Sequence, residues 1–255
     1  TSSDNENTAQ GLLSALDNKY SYVEFDIRIT KCGTAVIYHD PEAIDNDGVS
    51  HKINTVKYSD FNTLKGRFKT IPSLDEVLDI ASNHSNKSAK LLIDIKDFGY
   101  EKDIYSSVVK KKLSDRSIYV SWLPEVIYAL HKLTPLSKFC FSYWCKPPSA
   151  STKESHIVFK SQNGEIKNQP STNNIGKSSG WYIEGALSGK LRDIISMVCV
   201  PRHMLDASLV NEYHQNGIEV SSFSYLNIKD IIDDKKYYNI DYFFVDNKKV
   251  FDGRN

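Results

Sequence analysis

Short apolar runs alternate with amphipathic stretches along most of this chain. Apolar runs lie at Tyr22–Ile29, Leu91–Ile95, Ser117–Ser121, Lys138–Tyr143, Met197–Val200, Ile218–Phe223 and Asp241–Val245. They are short and rich in β-branched and aromatic residues, as buried parallel strands are. Between them, Ala9–Asp17, Leu74–Ala81, Ile104–Leu113, Glu125–Leu133 and Ala207–Gln215 read as helices. Asn7 or Thr8 suits the N-cap of the first, Ser73 that of the second, and Gly217 the end of the last. Strand–helix alternation predicts a parallel α/β architecture. Seven strands are counted, and the first element is a helix. Because eight strands close a barrel and seven leave an edge, the expected fold is a (β/α)₈ TIM barrel whose first strand lies upstream of Thr1. An open doubly wound sheet is the other arrangement this periodicity allows.

Two stretches interrupt the alternation. Residues 41–70 hold turn formers such as Asp45-Asn-Asp-Gly48 and read as a small insertion above the barrel. Residues 146–180 are rich in Ser, Asn, Lys and Pro and read as a loop excursion. The expectation is one domain over residues 1–255.

Length supports that organisation: 255 residues with 40% hydrophobic composition suffice for one large core. Lys+Arg and Asp+Glu both total 32, so no excess of positive charge calls for nucleic acid or an anionic membrane surface. An anionic substrate must then be met by a local site. Cys32, Cys140, Cys145 and Cys199 form no Cys-x-x-Cys pair, which argues against structural zinc and against a dense disulfide framework. No apolar run approaches the length of about 18 residues that spans a bilayer. The polar start is not a signal peptide, so a cytoplasmic location is expected, although a leader removed upstream would leave no trace. Oligomeric state is not legible.

The chemistry concentrates early. Glu24 and Asp26 stand two apart on a predicted strand and so face the same side. Paired buried carboxylates need a cation or a raised pKa, and a hard divalent ion suits oxygen ligands. The bland alternative leaves both exposed, or paired with Arg28 and a lysine. After the turn Thr30-Lys-Cys-Gly33, the run Thr34–Tyr38 returns as a short strand ending in His39-Asp40. A hairpin there brings His39 beside the carboxylates, where it can give or take a proton. Leu91-Leu-Ile-Asp-Ile-Lys96 is another apolar run ending in an acid and a base, with Asp94 and Lys96 on one face.

Glu6-Asn-Thr8, Glu24-Phe-Asp26, Thr30-Lys-x-Gly33, His39-Asp40, Ile71-Pro-Ser-Leu-Asp-Glu-Val-Leu78, Ile93-Asp-Ile-Lys96 and Ser121-Trp-x-Pro124 occur in this order. In order and spacing they resemble the glycerophosphodiester phosphodiesterases. Gly217–Ser224 and Asp241–Asp246 are weaker echoes. The resemblance implies hydrolysis of glycerophosphodiesters to an alcohol and glycerol 3-phosphate. It implies a divalent cation, Mg²⁺ or Ca²⁺, on Glu24, Asp26 and Asp94. Lys96 would contact phosphate and His39 would be one of two catalytic histidines. Phe223 and Trp122 would contact substrate, Phe223 standing where the family usually has tryptophan.

Three departures accompany the resemblance. The family's other catalytic histidine, in His-Arg-Gly at the end of the first strand, would precede Thr1, in agreement with the strand count. With that histidine absent, the chain as given is expected to lack activity of its own. Asp94 stands where the family usually has Glu, one methylene longer. Cys32 replaces the usual Asp of the turn. Asp at position 94 also resembles the related sphingomyelinase D-like phospholipases, which gives a lyase rival. A non-catalytic barrel that binds phosphodiesters is the other rival.

Overall fold

In the computed structural model of the chain, residues 6–143, 157–159, 181–183, 187, 189–245 and 250 are described. They belong to two compact units, one spanning Ser3–Ser137 and one Lys138–Asn255.

The first unit begins with helix α1, Ala9–Asp17, whose N-cap Thr8 accepts a hydrogen bond from the Gly11 N–H at 3.0 Å. Strand β1, Tyr22–Ile29, and strand β2, Ala35–Ile37, form an antiparallel hairpin in which Ile27 opposes Ile37. Its turn uses Gly33 at φ +80°, a conformation that glycine adopts without strain. The insertion follows as a small antiparallel pair, β3 (Glu42–Ile44) and β4 (Ser50–Lys52), then the short helix α2 (Phe61–Leu64). Ala43, Ile53, Phe61, Phe68 and Ile71 bury themselves together with Val36 of β2. The insertion therefore has an apolar centre anchored on the hairpin that carries His39.

Helix α3, Leu74–Asn83, starts with a capping box. The Ser73 hydroxyl accepts from the Glu76 N–H, and the Glu76 carboxylate accepts from the Ser73 N–H at 2.7 Å. Then come β5 (Lys90–Ile95), α4 (Glu101–Lys110), β6 (Ser117–Ser121) and α5 (Pro124–Leu133). The strand order is β2-β1-β5-β6, with β1, β5 and β6 parallel. In register, Asp26 lies beside Asp94, and Asp94 beside Val120.

The second unit holds β7 (Lys138–Ser142), β8 (Ile157–Phe159), β9 (Trp181–Ile183), α6 (Gly189–Ile194), β10 (Met197–Pro201), α7 (Ala207–Gln215), β11 (Glu219–Tyr225), α8 (Ile228–Tyr238) and β12 (Tyr242–Val245). Strands β7, β10, β11 and β12 pair in that order, all parallel. The expected excursion at residues 146–180 lies outside the described residues except for β8, which pairs in parallel with β9.

Every predicted strand is present within two residues of its expected ends. Helix α4 sits three residues earlier than its apolar pattern suggested, because Glu101 and Asp103 occupy the first turn, where carboxylates favour the helix dipole. Helices α6 and α8 were not predicted. The single buried residue of α8 is Asp234, which accepts from Arg202 Nε at 2.6 Å and from the Tyr225 hydroxyl at 2.9 Å. Its Ile228, Ile231 and Ile232 stay half-buried or exposed, so an ion pair and not an apolar stripe anchors it. Among the described residues no helix is long and apolar enough to cross a membrane.

Candidate active site

The site forms on the middle of β1 and the C-terminal end of β5. Neighbouring strands lie about 4.8 Å apart, so side chains in register on one face are held at roughly that spacing. Asp26 and Asp94 are such a pair, and Glu24 joins them from two residues earlier on β1. Carboxylate oxygens of Glu24, Asp26 and Asp94 all lie within 4.8 Å of one another. The three acids expected as metal ligands are thus brought together. Asp26 and Asp94 are buried, while Glu24 keeps some surface open to solvent.

The Lys96 ammonium contacts Asp26 Oδ1 at 2.9 Å and Asp94 Oδ2 at 2.5 Å. Lys96 directly follows β5 on the face of Asp94, and crowded acids draw in the nearest cation. One ammonium does not balance three carboxylates. Asp94 Oδ1 is buried with no hydrogen-bond partner among the described residues. An all-oxygen donor set with a surplus of negative charge and a buried unpartnered oxygen fits a hard divalent cation.

Asn7 completes the arrangement. Its side-chain amide donates to Asp26 Oδ2 at 2.7 Å, and its carbonyl oxygen accepts from the Asp26 backbone N–H at 2.8 Å. The sequence offers Asn7 as a possible N-cap and as part of a family motif; Thr8 is the cap, and Asn7 turns to Asp26 instead. A position just before a helix N-cap and one residue past Glu6 was the available signal.

The acids differ in proton affinity. Burial raises the Glu24 carboxyl well above the carboxylate range, and the neighbouring Asp26 and Asp94 add to the rise. Burial also acts on Asp26, but Lys96, then His39 and Asn7, outweigh it and hold that carboxyl low. Burial raises Asp94 despite the opposing effect of Lys96. Lys96 loses solvation too, yet the three carboxylates hold its ammonium more firmly protonated than usual.

His39 follows β2. The Tyr38 N–H donates to the Asp26 carbonyl at 3.0 Å, so the chain returns alongside β1 as the hairpin predicted. A positive charge on the His39 ring would lower Asp26 and Asp94 alike. The His39 Nδ1 meets Asp40 Oδ1 at 3.0 Å. Arg28, the alternative partner for the acids, pairs with Asp97 at 3.0 Å. Trp122 directly follows β6 and is buried. The strand it follows pairs with β5, with Asp94 opposite Val120. Phe223 lies in β11 of the second unit and is half-buried.

The glycerophosphoryl diester phosphodiesterase family matches residues 1–249. The chain belongs to this family. Its fold class is accordingly the (β/α)₈ barrel of the glycerophosphodiester phosphodiesterases, and its activity class is phosphoric diester hydrolysis. Solved structures agree on the fold. A protein from Silicibacter pomeroyi assigned to the glycerophosphoryl diester phosphodiesterases superposes with TM-score 0.68 at 15% identity, covering 94% of this chain and 85% of that one. A phosphodiesterase from Oleispira antarctica, in complex with the product sn-glycerol-3-phosphate, gives 0.65 at 18% identity, covering 96% and 90%. A glycerophosphodiester phosphodiesterase from Parabacteroides distasonis gives 0.63 at 16% identity, covering 94% and 85%. No curated protein matches the chain.

Proposed function

We propose that this glycerophosphodiester phosphodiesterase is metal-dependent and releases an alcohol and sn-glycerol 3-phosphate, with Glu24, Asp26 and Asp94 as the cation ligands. The observation that carries this reading is the convergence of three carboxylates within 4.8 Å of one another, two of them ion-paired with Lys96. A divalent cation held there supplies Lewis acidity, polarising a phosphoryl oxygen and neutralising transition-state charge. The chain's own groups do the rest. Lys96 adds a fixed positive charge at the same place. His39 exchanges a proton with the attacking or the leaving oxygen through Nε2, while Asp40 holds its ring. Asn7 keeps Asp26 oriented. Trp122, buried just after β6, contacts the organic part of the diester. In the reaction an oxygen attacks phosphorus, one P–O bond breaks, and the departing alkoxide takes a proton.

The test is an assay of the full-length protein on glycerophosphocholine, with chelator and then with added Mg²⁺ or Ca²⁺. Metal-dependent release of choline and glycerol 3-phosphate is expected. Full activity in chelator would overturn metal dependence. A cyclic glycerophosphate, seen by mass, would identify the substrate's own hydroxyl as attacking group and favour the lyase reading. The Lys96 ion pairs favour a further reading, in which the lysine offsets part of the acids' charge in a site that binds phosphodiesters without turnover. Absence of any product under all metal conditions would support it.

A further inference from the structure

Alternation along β1 puts Arg28 on the face of Glu24 and Asp26. Its guanidinium nevertheless reaches elsewhere. Nε donates to the His39 carbonyl oxygen at 2.9 Å, and Nη1 donates to Asp97 Oδ1 at 3.0 Å. The second Asp97 oxygen accepts from the Ile29 N–H at 2.8 Å. The end of β1, the segment after β5 and the residue after β2 are therefore tied at one point. The Arg28 side chain is only 9% exposed, so this is a shielded ion pair.

The His39 ring has a much looser setting. Its side chain is 60% exposed, and its partner Asp40 is 62% exposed and adjacent in sequence. A neighbour in sequence orients the ring but cannot place it relative to the acids. Placement falls to the backbone, and the backbone carbonyl of His39 is held by Arg28. We propose that Arg28, locked by Asp97, is the positioning residue for His39. The planar guanidinium suits this task because it presents separate N–H groups in a fixed geometry to a carbonyl and a carboxylate at once. A lysine, with one point charge on a flexible stem, does not reproduce it. The inference rests on the reading of His39 as a proton-transfer residue.

The test is a mutant cycle in the full-length protein, assayed on glycerophosphocholine with saturating Ca²⁺. Arg28→Gln is expected to lower kcat by roughly 10- to 100-fold, since misplacing a reacting group by about 1 Å costs on that scale. KM and calorimetric Ca²⁺ affinity are expected to stay within about twofold, as the guanidinium is engaged by Asp97 and the His39 carbonyl. In a His39→Ala background, Arg28→Gln is expected to cost nothing further, because a residue acting through His39 has nothing left to position. An equal fold-loss in both backgrounds, or a rise in KM at constant kcat, would overturn the proposal. Asp97→Asn carries the same comparison if Arg28→Gln does not fold, since it keeps an oxygen for the Ile29 N–H and weakens only the hold on Arg28. Full activity of His39→Ala would overturn the reading of His39 itself, a result distinct from failure of the cycle.

Discussion

His39 stands at a strand end, is largely solvent-exposed and contributes no apolar contact to the core, so its replacement isolates chemistry from folding. His39→Ala is expected to cut turnover by at least roughly 100-fold, the usual scale of general acid–base help, at an unchanged melting temperature. Retention of full turnover in a steady-state assay would show that the proton moves elsewhere. Cys32 offers a second check at this scale. Hydrogen bonds from Thr30 and Thr34, and from the Tyr58 backbone, lower its thiol to about 6. As an acid with a depressed pKa it is thiolate above that value and regains its proton as pH falls through it. Iodoacetamide labelling of the Cys32 peptide, followed by mass spectrometry, is expected to show a midpoint near pH 6 and not near the ordinary thiol value. The residue types of the site were legible in sequence because carboxylates at i and i+2 share a strand face. The Arg28–Asp97 pair was not legible, because nothing in a list of residues says which acid an arginine meets.

Local pattern fixed most of the elements, and caps show why. Ser73 and Glu76 bond reciprocally, and Glu76 also accepts from the Tyr58 hydroxyl at 2.9 Å, so the start of α3 is tied to the insertion. Ser73→Ala is expected to cost about 1 kcal/mol in a urea titration, the typical worth of such a cap. A loss indistinguishable from zero would mean that solvent replaces the cap. Within the insertion, Gly66 has φ +54°, and a Cβ there would lie 2.6 Å from the Asp45 carbonyl carbon. Both conformation and contact exclude a side chain, so Gly66→Ala is expected to destabilise by roughly 1–3 kcal/mol, measured by thermal melting. A wild-type melting temperature would show that the segment relaxes at no cost. Helix α8 marks the limit of pattern at this scale. It is anchored by a buried aspartate bound to Arg202 and Tyr225, partners that lie in other elements and become visible only after folding.

At the scale of the whole molecule, a cation bound by the native state alone stabilises it by mass action. Ca²⁺ or Mg²⁺ at about 100 times its dissociation constant would add roughly 2.7 kcal/mol, seen as a rise in melting temperature. Asp94→Asn is expected to abolish most of that rise, because it removes a ligand charge. An equal metal-induced rise in wild type and Asp94→Asn would place the cation elsewhere. The alternation of strands and helices, the hairpin that returns His39 and the family motifs were all determined by the sequence alone, since period, turn residues and spacing are local properties. Tertiary structure decided what depends on neighbours brought from afar. It set the register that lays Asp26 beside Asp94, and it brought Lys96 into ion pairs with both acids. It also gave Arg28 to Asp97 and the His39 carbonyl. The physical reason is common to all three. Strand periodicity chooses the face of a side chain, whereas the partner of a buried charge is chosen by whichever opposite charge the packed strands deliver within hydrogen-bond reach.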